Sequence, residues 1–176
     1  MKLQDIHNIA IIGAGTMGQG IAQIAALAGY NILLYDLNDK VLQNALTNIE
    51  KNLDKGIEKG KIKAEDKANA IRNIRITNNF NELKADVVIE AVIEKLEVKR
   101  EVFEKLEAIN GPQTIFATNT SSIPITQIAA STKHPGRMIG MHFFNPAHIM
   151  KLVEVISGVA TDAEAATAIR QLAEVL

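Results

Sequence analysis

The chain has 176 residues, of which 47% are hydrophobic and 22% charged, a composition typical of one globular domain with a sizeable core. Its formal net charge of −1 gives no reason to expect nucleic acid or a membrane surface as a partner. It contains no cysteine, which excludes disulfides, thiolate metal sites and a cysteine nucleophile. Because no signal-peptide core and no membrane-length apolar run is present, we expect a cytoplasmic protein.

The first predicted strand, Ile9–Ile12, runs directly into the segment Gly13-Ala14-Gly15-Thr16-Met17-Gly18. A helix is predicted from about Met17, with apolar side chains at helical spacing until Gly29. In this strand–turn–helix context the glycines match the G-x-G-x-x-G signature of dinucleotide binding. We expect Gly13 to allow a tight turn, Gly15 to let a pyrophosphate approach and Gly18 to let the helix pack on the strand. The N–H groups at the start of the helix would then bind the phosphates.

A second predicted strand, Asn31–Tyr35, is followed directly by Asp36, which lies eighteen residues after Gly18. A carboxylate at this distance accepts hydrogen bonds from the hydroxyls of the adenosine ribose. It also repels the 2′-phosphate of NADP, and no arginine follows it before Arg72. The sequence therefore predicts NAD as the cofactor.

The segment from about 38 to 73 is predicted to form a helical arm that projects from the sheet. Asn38 is its predicted N-cap, and apolar residues at helical spacing continue to Leu53. Lysines then predominate, at Lys51, Lys55, Lys59, Lys61, Lys63 and Lys67. A charge run of this kind is most often a solvated face, and the alternative is a docking surface for an anionic, phosphate-bearing substrate.

Short apolar runs continue to alternate with helical patterns, which predicts an α/β fold with a doubly wound, Rossmann-type, mainly parallel sheet. Further strands are predicted at 74–77, 86–92, 114–117, 138–143 and 152–156, with helices from 96 to near 111, at 125–129 and from Asp162. The last helical pattern ends at Leu176 without a C-cap glycine. We therefore expect residues 1–176 to be one domain of a longer protein whose C-terminal domain is absent.

Polar residues follow the predicted strands, and the carboxyl ends of parallel strands meet at one edge of a sheet. His142 follows this pattern and has the side chain best suited to take a proton from an alcohol near neutral pH. Glu154 lies twelve residues later among branched apolar residues, where a carboxylate is costly without a partner. If the last two strands are neighbours joined by Asn145-Pro146, Glu154 would reach the imidazole. The alternatives are that His142 is a core histidine and that Glu154 is a charge on an edge strand facing water. For the two residues together, the pattern favours a catalytic dyad over these alternatives.

No two histidines have the spacing of metal ligands on a helix, and carboxylates do not cluster with them. We therefore predict no metal site.

Four segments together resemble the L-3-hydroxyacyl-CoA dehydrogenases, most closely the bacterial 3-hydroxybutyryl-CoA type. They are residues 13–22, Asn119-Thr120-Ser121-Ser122, His142-Phe143-Phe144-Asn145-Pro146 and Met150-Lys151-Leu152-Val153-Glu154-Val155-Ile156. The likeness spans the chain from Ile9 to about Ile156. It implies NAD-dependent oxidation of an (S)-3-hydroxyacyl-CoA to a 3-oxoacyl-CoA, and the reverse.

The resemblance also implies a role for each matched residue. His142 would be the general base, Glu154 would orient it, and Ser121 would hydrogen-bond the substrate oxygen near the nicotinamide. Asn119 and Asn145 would line the nicotinamide pocket, Glu94 and Lys99 match further cofactor-contacting positions, and Asp36 would bind the ribose. Lys59 would contact coenzyme A, as would Asn52, which is at a position where relatives can have serine. A homodimer formed through the family's helical C-terminal domain is implied as well.

Two alternatives stay open from the residues alone. One is a related NAD-dependent hydroxy-acid or sugar-acid dehydrogenase, against which the lysine-rich segment argues, since such a substrate has less use for it. The other is a non-catalytic NAD-binding module, against which the retention of His142 and Glu154 argues.

Overall fold

Seven strands form one sheet in the computed structural model, which describes every residue, 1–176. The strands are β1 (Asn8–Ile12), β2 (Asn31–Tyr35), β3 (Ile74–Thr77), β4 (Val87–Glu90), β5 (Ile115–Thr118), β6 (Met138–Phe143) and β7 (Val153–Ser157). The helices are α1 (Thr16–Leu27), α2 (Asp39–Glu58), α3 (Ala64–Arg72), α4 (Leu96–Ile109), α5 (Ile125–Ala129) and α6 (Ala163–Val175). None of them is long and apolar enough to span a membrane.

The strands lie in the order β3-β2-β1-β4-β5-β6-β7. The first six are parallel, and β7 runs antiparallel to β6 at the edge. The direction of winding reverses between β1 and β4, and open α/β sheets bind ligands in the crevice at such a point, at the carboxyl ends of the strands. The Rossmann-type fold predicted from the sequence is confirmed.

Successive side chains of each strand point to opposite faces of the sheet, which divides the core into two layers. Ile9 and Ile11 of β1 belong to a cluster of 27 buried residues that also includes the apolar faces of α1, α2 and α6. Ala10 and Ile12 belong to a cluster of 13 on the opposite face, with residues of α4 and α5. Helices therefore cover both faces of the sheet, as the continuous apolar strands require.

The predicted helical arm is a hairpin of α2 and α3. The side chain of Asn38 caps α2 as predicted, accepting a hydrogen bond of 2.9 Å from the backbone N–H of Lys40. As far as Leu53, the apolar face of α2 is buried in the main core. Ile62 packs closely on Gly56 and closes the tip of the hairpin. The lysine-rich part of the segment is thus this tip.

The main differences from the predicted elements lie at strand ends. β4 stops at Glu90 rather than at residue 92, because the backbone N–H of Val92 bonds to the Glu90 side chain instead of a neighbouring strand. β5 and β7 are each displaced by one residue toward the C-terminus.

Candidate functional site

The glycine turn between β1 and α1 has one open position between two crowded ones. Gly13 has a φ of +97°, and an added Cβ would lie 2.7 Å from the carbonyl oxygen of Ala91. At Gly18 an added Cβ would lie 1.7 Å from the carbonyl oxygen of Gly13. At Gly15 it would meet nothing within 4 Å. The fold therefore requires Gly13 and Gly18, whereas Gly15 leaves space for a ligand.

The N-terminus of α1 lies at this opening, because Gly15 is its N-cap. The first N–H groups of a helix have no acceptor within the helix. No side chain caps them here, and the first turn contains no acidic residue. The backbone N–H groups of the first turn, which starts with Thr16 and Met17, are thus suited to bind an anionic phosphate.

Asp36 joins the glycine turn to the start of α2. One oxygen of its carboxylate accepts a hydrogen bond of 3.0 Å from the backbone N–H of Ala14, and the other accepts one of 3.0 Å from that of Asn38. Beside it is a cavity of about 760 Å³, into which the exposed apolar side chains of Leu37 and Ile93 project. A carboxylate at the edge of an apolar cavity suits an adenosine, whose base is flat and whose ribose has hydroxyl donors.

Glu94 holds the loop that follows β5. One oxygen of its carboxylate accepts hydrogen bonds from the Thr120 hydroxyl and from the backbone N–H groups of Ser121 (3.0 Å) and Ser122 (3.3 Å). Partial burial alone would raise the pKa of Glu94, but the Thr120 hydrogen bond and the charge of Lys99 outweigh it and lower the pKa to about 2. Glu94 is therefore ionised at neutral pH.

Lys99 lies beneath this loop, with a side chain that is 1% exposed. Its ammonium is 2.8 and 3.0 Å from the two carboxylate oxygens of Glu90 and 3.2 Å from Glu94. An ammonium has three donors, so none is left for a ligand. The cofactor contact expected of Lys99 stays a prediction; in this arrangement its ammonium bonds to Glu90 and Glu94.

His142 and Glu154 are opposite each other in the antiparallel pairing of β6 with β7. The Nδ1 atom of His142 lies 2.8 Å from Oε2 of Glu154. An ionised carboxylate only accepts hydrogen bonds, so Nδ1 holds the proton and Nε2 of the neutral ring keeps a free lone pair. The histidine is neither in the core nor unpaired, since its side chain is 18% exposed. The predicted pairing of the two residues is confirmed.

Asn119 joins the end of β5 to the end of β6. Its side-chain oxygen accepts a hydrogen bond of 2.8 Å from the backbone N–H of Phe143, the residue after His142. The side chains of Ser121 and Asn145 are exposed and make no hydrogen bond within the chain. The structure thus brings Asn119 to the strand of His142 and leaves Ser121 and Asn145 available to a ligand.

Asn52 and Lys59 line a separate cleft of about 580 Å³ between the tip of the α2–α3 hairpin and the loop 148–151. Three further lysines line it, Lys55, Lys61 and Lys151, and no acidic residue does. A concave surface with this charge favours an anionic ligand over a merely solvated face.

Three residues of the site region, Glu90, Thr118 and Thr120, received no individual role from the sequence. Glu90 and Thr120 belong to the polar segments that were expected at the carboxyl ends of the strands. The pairing of Glu90 with Lys99 and Thr118 had no local signal, because hydroxyl residues commonly follow strands. No group of three or more histidine or acidic side chains is arranged to bind a metal ion.

Comparison with known proteins decides the family. Residues 8–176 match the model of the 3-hydroxyacyl-CoA dehydrogenase NAD-binding domain. The chain belongs to the 3-hydroxyacyl-CoA dehydrogenase family. Because the matching part of the family is its NAD-binding domain, the cofactor predicted from the glycine turn and Asp36 is confirmed.

Other members of this dehydrogenase family are longer than the chain. The probable 3-hydroxybutyryl-CoA dehydrogenase of Bacillus subtilis is 47% identical over 171 residues, which cover 97% of this chain and 60% of the relative. The 3-hydroxyadipyl-CoA dehydrogenase of Escherichia coli is 45% identical, over 91% of this chain and 34% of the relative. The crystal structure of 3-hydroxybutyryl-CoA dehydrogenase from Escherichia coli K12 has a TM-score of 0.94 at 44% identity, covering 97% of this chain and 36% of that one.

Proposed function

We propose that this family member takes part in the NAD-dependent oxidation of (S)-3-hydroxyacyl-CoA to 3-oxoacyl-CoA, and in the reverse reduction. The observation that supports the proposal most is the His142–Glu154 pair, on the strand that Asn119 joins to the loop held by Glu94. A module that only bound NAD would not need a histidine with a carboxylate on one ring nitrogen and a lone pair on the other.

His142 is the general base of the proposed reaction. Its Nε2 takes the proton of the 3-hydroxyl while C3 loses a hydride and becomes a carbonyl carbon. NAD, when bound, supplies the acceptor for that hydride. The carboxylate of Glu154, 2.8 Å from Nδ1, stabilises the imidazolium that forms. In the reverse direction the imidazolium of His142 returns the proton to the carbonyl oxygen.

The residues present fit NAD along the whole crevice. Gly15 and the start of α1 would bind the pyrophosphate, since an added Cβ at Gly15 meets no protein atom. Asp36 would bind the adenosine ribose, with its carboxylate already oriented by two backbone N–H groups. The proposed nicotinamide end consists of Asn119, Ser121, Asn145 and Glu94.

An acyl-CoA is the proposed substrate because of the lysine-lined cleft. Its four lysines suit the phosphates of coenzyme A, and Lys59 and Asn52 lie among them. A hydroxy acid without coenzyme A would leave this cleft without a ligand. The Ser121 hydroxyl, which has no partner within the chain, would donate a hydrogen bond to the 3-oxygen of the substrate.

The chain spans 60% of the Bacillus relative, so we propose that full turnover needs a further part that covers the substrate and excludes water. The homodimer implied through that part stays a prediction. So does the cytoplasmic location.

The proposal is tested in two steps. NADH added to the chain should show a fluorescence change that saturates, and NADPH should bind more weakly. A chimera that continues this chain with the remainder of the Bacillus relative should then reduce acetoacetyl-CoA with NADH. A chain that binds no NADH at millimolar concentrations would contradict the cofactor site, and a folded chimera that binds NADH without turnover would contradict the reaction.

A further inference from the structure

Glu90 is a fully buried acidic residue that the proposed reaction does not use. It is the last residue of β4, next to β1, where the winding of the sheet reverses. Its carboxylate accepts hydrogen bonds from Lys99 at 2.8 and 3.0 Å, from the Thr118 hydroxyl at 2.7 Å and from the backbone N–H of Val92 at 2.7 Å. The carboxylate is therefore fixed at the carboxyl end of the central strands.

The stability of the sheet does not explain this ion pair. Removing two charges from water costs about as much free energy as their attraction returns, and well-packed apolar residues often replace such a pair without loss. The three preceding residues of β4, Val87 to Ile89, are apolar and fully buried. An acidic residue only at the crevice end of the strand indicates a role at the crevice.

We propose that Glu90 is a positioning residue of the cofactor site, an inference that rests on the proposed function. Lys99 directs two of its donors to Glu90 and the third to Glu94, so Glu90 determines where the ammonium lies and the ammonium determines where Glu94 lies. Glu94 then holds the backbone N–H groups of Ser121 and Ser122. Glu90 thus acts on the nicotinamide end through two other side chains.

The residue after Glu90 contacts the other end of the crevice. The backbone N–H of Ala91 donates a hydrogen bond of 2.8 Å to the carbonyl oxygen of Ile12. The carbonyl oxygen of Ala91 is the atom that an added Cβ at Gly13 would meet. A displacement of Glu90 therefore affects the glycine turn as well as the loop of Ser121.

The charge of the cluster predicts which redox form of the cofactor it favours. Glu90, Lys99 and Glu94 together have one negative charge in surplus, and the Glu94 side chain is 38% exposed at the crevice. The nicotinamide ring is positive in NAD⁺ and neutral in NADH. A negative charge at this end therefore stabilises NAD⁺ more than NADH, and disturbing Glu94 should weaken NAD⁺ more.

The test compares Glu90→Gln with Glu94→Gln and with Ile89→Val, a buried substitution on the same strand that faces the other layer. We expect Glu90→Gln to move the ¹H–¹⁵N resonances of Ser121 and Ser122 in the direction that Glu94→Gln moves them. The Kd for NAD⁺ should rise about tenfold or more, and that for NADH should rise less. Ile89→Val should change neither the resonances nor the ratio of the two Kd values.

A double variant, Glu90→Gln with Lys99→Met, has no unpaired buried charge and serves if Glu90→Gln does not fold. We expect its Ser121 and Ser122 resonances to move and its affinity for both NAD⁺ and NADH to fall, while the ratio of the two Kd values stays near wild type, because Glu94 alone keeps the same surplus of one negative charge. Wild-type affinities in the double variant, or unmoved Ser121 and Ser122 resonances in a folded Glu90→Gln chain, would overturn the positioning role. The resonances are measured without cofactor, so failure of the unaltered chain to bind NADH, which would overturn the proposed function, is a separate result.

Discussion

His142 and Glu154 are opposite each other in adjacent antiparallel strands, with Nδ1 and Oε2 2.8 Å apart. The imidazole also lies against Phe144, with ring centroids 4.7 Å apart. The ring is thus oriented by a carboxylate on one side and an aromatic ring on the other. The direction of its Nε2 is therefore set before any substrate arrives.

Replacing either member of this pair should reduce turnover without weakening cofactor binding. In the chimera, His142→Gln should lower kcat about 10²- to 10⁴-fold, because the general base is lost. Glu154→Gln should cost about tenfold or more, because an amide stabilises an imidazolium less well than a carboxylate. The measurement is acetoacetyl-CoA reduction together with the Kd for NADH, and Glu104→Gln, an exposed position on α4, is the control. Wild-type kcat in His142→Gln would remove the residue from the reaction.

Substitutions of two glycines of the turn should have different effects, one on cofactor binding and the other on the stability of the fold. Gly15→Ala should leave the free energy of unfolding unchanged and weaken NADH about tenfold or more, since the added methyl group meets only the ligand space. Gly18→Ala should cost about 1–3 kcal/mol of stability or prevent folding, since its methyl group would overlap the Gly13 carbonyl. Urea denaturation and NADH titration measure the two effects. Undiminished NADH binding by Gly15→Ala would show that the pyrophosphate lies elsewhere.

Asp36 should determine the preference for NADH over NADPH. Asp36→Asn keeps an oxygen that can accept the hydrogen bond from Ala14 but removes the charge that repels a 2′-phosphate. We expect NADH to bind more weakly and NADPH more tightly, so that the ratio of their Kd values moves toward one. Asp39→Asn, at the exposed start of α2, is the matched control and should leave the ratio unchanged. An unaltered ratio in Asp36→Asn would contradict the ribose assignment.

The lysine-lined cleft should bind coenzyme A in a salt-dependent way. Lys59→Ala should weaken binding only about two- to fivefold, because exposed charges are partly screened, and adding Lys61→Ala should weaken it further. Raising the ionic strength should reduce both effects. Calorimetric titration with coenzyme A measures them, with Lys84→Ala, an exposed lysine outside the cleft, as the control. Equal losses in Lys84→Ala and Lys59→Ala would exclude a specific cleft.

Glu94 should stabilise the fold at neutral pH and lose this effect in acid. Its pKa is lowered from 4.5 to about 2, so the stabilisation is complete above about 4.5 and disappears as the pH falls toward 2. Relative to wild type, Glu94→Gln should lose about 1–2 kcal/mol at pH 7, a value reduced for solvent screening of a partly exposed carboxylate. Denaturation at several pH values measures the difference, and Glu104→Gln controls for the loss of an exposed charge. A difference that stayed constant down to pH 3 would contradict the lowered pKa.

The features that could be predicted from the sequence are those that local patterns determine. Gly13 to Gly18 and Asp36 belong to one strand–helix–strand unit, and His142 and Glu154 to one hairpin, so their spacing along the chain was sufficient. Lys99 was different, because a lysine in an amphipathic helix normally faces water. Its burial depends on how α4 packs over β4 and on the cross-strand pairing of Glu90 with Thr118.

The lysine-lined cleft could be predicted only in part for the same reason. The run of lysines in the α2–α3 hairpin was visible, but a charge run alone does not distinguish a binding surface from a solvated one. What favours a binding surface is the approach of Lys151 and His148 from a loop about ninety residues away. Such contacts depend on the tertiary fold, and no local pattern encodes them.

The reversal of winding between β1 and β4 also divides the crevice by position along the chain. The glycine turn and Asp36 come from the first 36 residues, whereas Asn119, Ser121 and the His142–Glu154 hairpin all follow β4. Recombination at a point between these parts would exchange the catalytic hairpin and keep the residues proposed for the pyrophosphate and the adenosine. A fold divided in this way separates the residues that would hold the adenosine end of the cofactor from those that would carry out the reaction.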